Sequence, residues 1–131
     1  MKLLIDTHYL LWMFFDTAKI SDRVKDALTS EDNDIYYSQA SLWEISIKYS
    51  IGKLFLNGIT PEEFYQELSN SFLICRRLEN KELISSHFLP TEHKDPFDRM
   101  IIWQAIKSDM MLLSVDAKMN LYKEYGLKLF L

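Results

Sequence analysis

A chain of 131 residues, 48% of them apolar and 14% aromatic, suits one packed domain. Its 15 basic and 19 acidic residues give a net charge of −4, which excludes a simple basic coat for nucleic acid but allows a positive rim around an acidic centre. The single cysteine, Cys75, excludes an internal disulfide, and no apolar run approaches the roughly 20 residues of a bilayer span.

In chain order, "KLLID" at residues 2–6 is a short β-type run that ends on an acid. No long apolar stretch with a small-residue cleavage site precedes it, so it reads as the first strand of a cytoplasmic protein. The bulky stretch "YLLWMFF" follows, and a helical pattern covers residues 21–29. "DIYYS" at 34–38 predicts a second strand, and a helix is expected over 41–51, where "SLWE" offers a capping box between Ser41 and Glu44. "TPEE" at 60–63 combines a Thr cap, Pro at the first helical position and Glu at the third, which predicts a helix over 61–70. "SFLIC" at 71–75 predicts a third strand with Cys75 as a small core residue, and residues 81–88 a further helix. In "HKDPFDRMIIWQA" at 93–105, Asp95 is the expected N-cap, Pro96 the first helical residue and Asp98 a first-turn acid favoured by the helix dipole, so a helix is expected over 97–108. "MLLSVD" at 111–116 and, after Gly126, "LKLFL" at 127–131 predict the last two strands. Neither a linker nor a repeat interrupts this order, and residues 1–131 are expected to form a single domain.

Strands separated by helices predict parallel pairing in an open sheet with helices on both faces. In such α/β sheets, ligands bind at the carboxyl ends of the strands, where strand order reverses. Four acids fit that position. Asp6 ends the first strand, Glu44 lies in the first turn of the helix after the second, Asp98 opens the helix leading into the fourth, and Asp116 ends the fourth. Each has an ordinary structural role open to it as cap, turn residue or dipole partner. Together, four carboxylates in one crevice repel one another, and a hard divalent cation such as Mg²⁺ or Mn²⁺, which takes oxygen ligands, resolves that repulsion. With these four set aside, the remaining acids equal the bases in number, which eases the objection to a nucleic-acid substrate.

"LLIDTHYLLW" (3–12), "SQASLWEISIKYSIGKL" (38–54), "HKDPFDRMIIWQA" (93–105) and "LLSVDAKM" (112–119) occur in the order and approximate spacing of a PIN domain. The chain most resembles the VapC-type ribonuclease toxins of bacterial toxin–antitoxin pairs. That resemblance implies a three-layer α/β/α fold with a central parallel five-stranded sheet. It also implies an Mg²⁺- or Mn²⁺-dependent endoribonuclease acting on RNA, usually a homodimer, and usually silenced by a cognate antitoxin. Position by position, Asp6, Glu44, Asp98 and Asp116 match the acidic quartet. Tyr9 and Met13 stand where smaller residues are common, which bears on groove shape.

Around the quartet, Thr7 and Ser114 are candidates to hydrogen-bond a carboxylate or phosphate, and Arg99 to contact phosphate. Lys48, one helical turn beyond Glu44, is a candidate for the RNA backbone. His8, His87 and His93 lack metal-ligand spacing and are not expected to be ligands. Trp12, Phe15, Trp43 and Ile47 are candidates to line a groove for an antitoxin helix. The alternative is a PIN-like module that binds RNA or protein without turnover, against which the intact quartet speaks. A phosphotransfer enzyme is less well supported, because "DTH" lacks the second aspartate of a D-x-D motif.

Overall fold

The computed structural model describes residues 1–131. Five strands, β1 (Lys2–Ile5), β2 (Asp34–Ser38), β3 (Ile74–Arg76), β4 (Met111–Leu113) and β5 (Lys128–Leu129), form one sheet in the order β3-β2-β1-β4-β5. All four pairings are parallel. In β1, Leu3, Leu4 and Ile5 are fully buried, as expected of a central strand covered on both faces. Alternation divides them between two cores. Leu3 and Ile5 join Leu10, Val24, Ile35 and Phe64 on one face, whereas Leu4 joins Ile101, Ile102, Leu112 and Tyr122 on the other.

Six α-helices fill the connections: α1 (Thr7–Phe15), α2 (Asp22–Thr29), α3 (Gln39–Ser50), α4 (Pro61–Ser69), α5 (Asn80–Ser85) and α6 (Pro96–Ser108). None is long and apolar enough to cross a membrane. Helix α4 starts as its sequence requires, with the Thr60 hydroxyl accepting from the Glu63 N–H and the Glu63 carboxylate accepting from the Thr60 N–H. Helix α6 likewise begins at Pro96, and Asp95 caps it by accepting from the N–H groups of Phe97 at 3.0 Å and Asp98 at 2.9 Å.

Several local expectations shift. Helix α1 is absent from the sequence pattern because "THYLLWMFF" is bulky and apolar at nearly every position, which erases the 3.6-residue period. Its cap is Asp6, whose Oδ1 accepts from the Tyr9 N–H at 2.9 Å. Helix α3 starts earlier than expected. Ser38 caps it by accepting from the Ala40 N–H, so "SLWE" lies inside the helix and makes no capping box; Glu44 sits in the second turn. Strand β3 lies farther along the chain than expected, and β4 stops at Leu113. Beyond β4, Asp116 accepts from the Lys118 N–H and starts a run of 3₁₀ turns, Ala117–Tyr125, which Gly126 ends at φ 98°.

Candidate active site

Strand order reverses between β1 and β4, the two neighbours from which the chain builds outward in opposite directions. The crevice at their carboxyl ends is therefore where an open α/β sheet places its ligand. Asp6 follows β1 directly and is almost fully buried. Its Oδ2 accepts from Ser114 Oγ at 2.7 Å and from the Val115 N–H at 3.2 Å, so the chain leaving β4 clasps the acid leaving β1. Ser114 Oγ also accepts from the Asp116 N–H at 3.1 Å, which ties the second strand-end acid to the first.

Glu44 reaches the same end of the sheet from α3. Thr7 donates to its Oε1 at 2.6 Å and shares a 2.8 Å hydrogen bond with Ser41, while Lys48, one turn on, pairs with Oε2. From the other side, Asp98 Oδ2 lies 3.3 Å and Asp116 Oδ2 2.8 Å from Nε2 of His93, a buried residue. One ligating atom from each of His93, Asp98 and Asp116 falls within 4.8 Å of the others.

Proton affinities record the crowding. Asp98 is pushed up to about 6 by burial and by the charges of Asp95, Glu44 and Asp6, which outweigh the opposing effect of His93. Burial also raises Asp6 despite the hydrogen bonds from Tyr9, Ser114 and Val115. Asp116 moves the other way: burial raises it, but the Lys118 N–H and His93 more than compensate, leaving it below the usual carboxylate range. For Lys48 the burial penalty is outweighed by Glu44, Asp95 and Asp98, which together raise its affinity for a proton. Negative charge is thus concentrated here at a cost. An oxygen-rich donor set of this kind suits a hard cation.

Of the four sequence-selected acids, Asp98 and Asp116 come within 4.8 Å of each other and of His93; Asp6 is joined to Asp116 through Ser114, and Glu44 is held by Thr7 and Lys48. Arg99 is engaged elsewhere, donating to the backbone carbonyls of Leu89, Pro90 and His93. Sequence reading misses the place of His93 among the acids. The available signal is its position two residues before the Asp95 cap, where the ring accepts from the Asp95 N–H and is folded back over the helix start. His8 sits 4.0 Å from Asp6 with its side chain exposed, and His87 stacks on Phe88. Among the groove candidates, Trp12 and Phe15 pack against the first core, Ile47 is half-buried, and Trp43 stands 65% exposed with its ring edge-on to Phe97 at 5.5 Å.

The family model of the PIN domain matches residues 3–125. No protein among the curated sequences matches the chain. Among solved structures, VapBC2 from Rickettsia felis bound to a DNA fragment from its promoter is similar at TM-score 0.69 and 20% identity, over 99% of this chain and 98% of that one. VapBC-1 from nontypeable Haemophilus influenzae is similar at TM-score 0.63 and 15% identity, over 99% and 97%. DNA-bound VapBC from Salmonella typhimurium is similar at TM-score 0.61 and 17% identity, over the same shares.

Proposed function

The chain belongs to the PIN domain family, and from that premise we propose that it is a metal-dependent endoribonuclease, the toxin of a toxin–antitoxin pair. One observation carries the reading. Asp98 and Asp116 come together at the switch point of the sheet, and burial together with the charges of Asp95, Glu44 and Asp6 pushes Asp98 up to about 6, an arrangement that costs stability unless a cation is held there. Mg²⁺ or Mn²⁺ would supply there the positive charge and the activated water that phosphodiester hydrolysis needs. The protein's own groups do the rest. Ser114 and the Val115 N–H fix Asp6, Thr7 fixes Glu44, and Lys48, paired with Glu44, is the cation proposed to meet a phosphate of the RNA backbone. A module that only bound RNA would have no use for acids held against their own repulsion.

The melting temperature is expected to rise in Mn²⁺ and to fall back in EDTA. Binding to the native state alone adds RT ln(1 + [L]/Kd), about 2.7 kcal/mol at a hundredfold excess over Kd. Thermal denaturation in millimolar Mn²⁺ checks this, and an unchanged midpoint would count against the metal site.

Similarity to the VapBC structures supports an antitoxin partner, and the exposed apolar side chains support two contacts. Trp43 is the anchor proposed for a short antitoxin helix, so Trp43→Ala should weaken that complex in a calorimetric titration. A second copy of the chain is proposed to cover α5, where Ile84 is 78% and nearby Phe88 70% exposed. Ile84→Glu should then convert a homodimer to monomer in light scattering, and a wild-type protein already monomeric at high micromolar concentration would remove this half of the reading.

A further inference from the structure

His93 is specified more closely than any acid it touches. Its N–H donates to Tyr122 Oη at 2.7 Å, and Tyr122, fully buried, donates in turn to the Pro90 carbonyl at 2.8 Å. Its carbonyl accepts from Arg99 Nη1 at 3.1 Å, and the same guanidinium holds the carbonyls of Pro90 and Leu89. Nδ1 of its ring accepts from the Asp95 N–H at 3.2 Å. In a neutral imidazole the proton must then sit on Nε2, and Nε2 faces Asp116 Oδ2 at 2.8 Å and Asp98 Oδ2 at 3.3 Å.

Resting on the reading of a carboxylate-held cation, we propose that His93 is a positioning residue: its ring stays outside the coordination shell and, through Nε2–H, fixes Asp116 by a hydrogen bond while lying against Asp98. The spacing of the three side chains would by itself also suit His93 as a ligand. The tautomer decides between the two. A nitrogen that carries a proton has no lone pair to give a metal, and moving that proton to Nδ1 would set it against the Asp95 N–H. Turning the ring over meets the pinned backbone and a buried pocket. A hard cation also prefers the oxygens. The assignment gives Arg99 a role: its hydrogen bonds fix the backbone that carries His93, as outer partners elsewhere fix metal ligands.

The experiment titrates Mn²⁺ into EDTA-stripped wild type, His93→Gln and His93→Ala, and records pulsed EPR of the Mn²⁺-loaded wild type. Glutamine keeps an N–H donor near the place of Nε2 and alanine keeps none. His93→Ala should therefore weaken Mn²⁺ binding on the order of 10- to 100-fold, the loss typical of an outer partner, and His93→Gln should restore most of it. The spectrum should show no coupling from a directly bound imidazole nitrogen. Such a coupling, or a glutamine variant as weak as the alanine one, would overturn the inference, and the wild-type spectrum decides alone if a variant does not fold. Wild type that takes up no Mn²⁺ would instead bring down the metal-site reading, and this inference with it.

Discussion

Asp6→Asn is expected to reduce metal-dependent RNA cleavage on the order of a hundred- to a thousandfold, the scale at which removal of one preorganised charge-stabilising group is felt. The same protein should remain folded. Asn at position 6 can still cap α1, because an amide oxygen accepts from the Tyr9 N–H as well as a carboxylate does. On the other side the amide nitrogen faces the Ser114 hydroxyl, which can rotate to accept, and the Val115 N–H, which cannot. Leaving that one donor unpaired costs about 1–3 kcal/mol. Against this, the substitution removes a charge whose burial already raises its proton affinity. The two effects oppose each other, so the EDTA melting temperature should stay close to wild type while cleavage is lost. Circular dichroism together with cleavage of a defined RNA in Mn²⁺ checks both halves. A variant that cuts as fast as wild type would place the chemistry elsewhere.

The acids and the fold differ in how much of them the sequence displays. The places of Asp6 and Asp98 are legible because they lie at a strand end and a helix start, the features that short patterns mark best; Glu44 falls in the second turn of α3 and Asp116 beyond the end of β4, each displaced from its expected position. Thr60 and Asp95 are legible for the same reason: a cap is a local event, completed within three residues of its own position. Helix α1 is hidden, since a segment touched by apolar neighbours around most of its circumference loses its periodicity. "SLWE" misleads for a related reason. Ser41 and Glu44 have the right spacing for a capping box, but Ser38 three residues earlier takes the cap, and both are drawn into a hydrogen-bonded group with Thr7. His93 needs tertiary information altogether. Its partners Asp116 and Tyr122 lie 23 and 29 residues away, and the packing of α6 against β4 and the 3₁₀ run that follows it brings them near.

The two acids at the start of α6, Asp95 and Asp98, should respond to mutation with opposite signs. Asp95 accepts two backbone N–H bonds, so Asp95→Ala is expected to lose about 0.5–2 kcal/mol of stability and Asp95→Asn much less, because asparagine caps as well. Activity should fall only modestly in either variant, since the bond that orients His93 comes from the backbone N–H of residue 95 and survives both substitutions. Asp98 is the reverse case. Its carboxyl goes from an ordinary 3.8 to about 6 on folding, so between those values the folded chain keeps a proton that the unfolded chain has released. Metal-free stability therefore falls as pH rises through that window, by about 3 kcal/mol in all for this group. Asparagine stays neutral throughout. In EDTA, Asp98→Asn should thus match wild type below pH 4 and exceed it above pH 6, despite losing a favourable first-turn charge worth about 0.3–1 kcal/mol. In Mn²⁺ at neutral pH the order should invert, because the cation stabilises only the chain that can hold it, and cleavage by Asp98→Asn should vanish. Melting temperatures of both variants across pH, with and without Mn²⁺, decide the assignment: an active Asp98→Asn, or an Asp95→Ala that is fully stable yet inactive, would show that the cap and the metal-site acid have been exchanged.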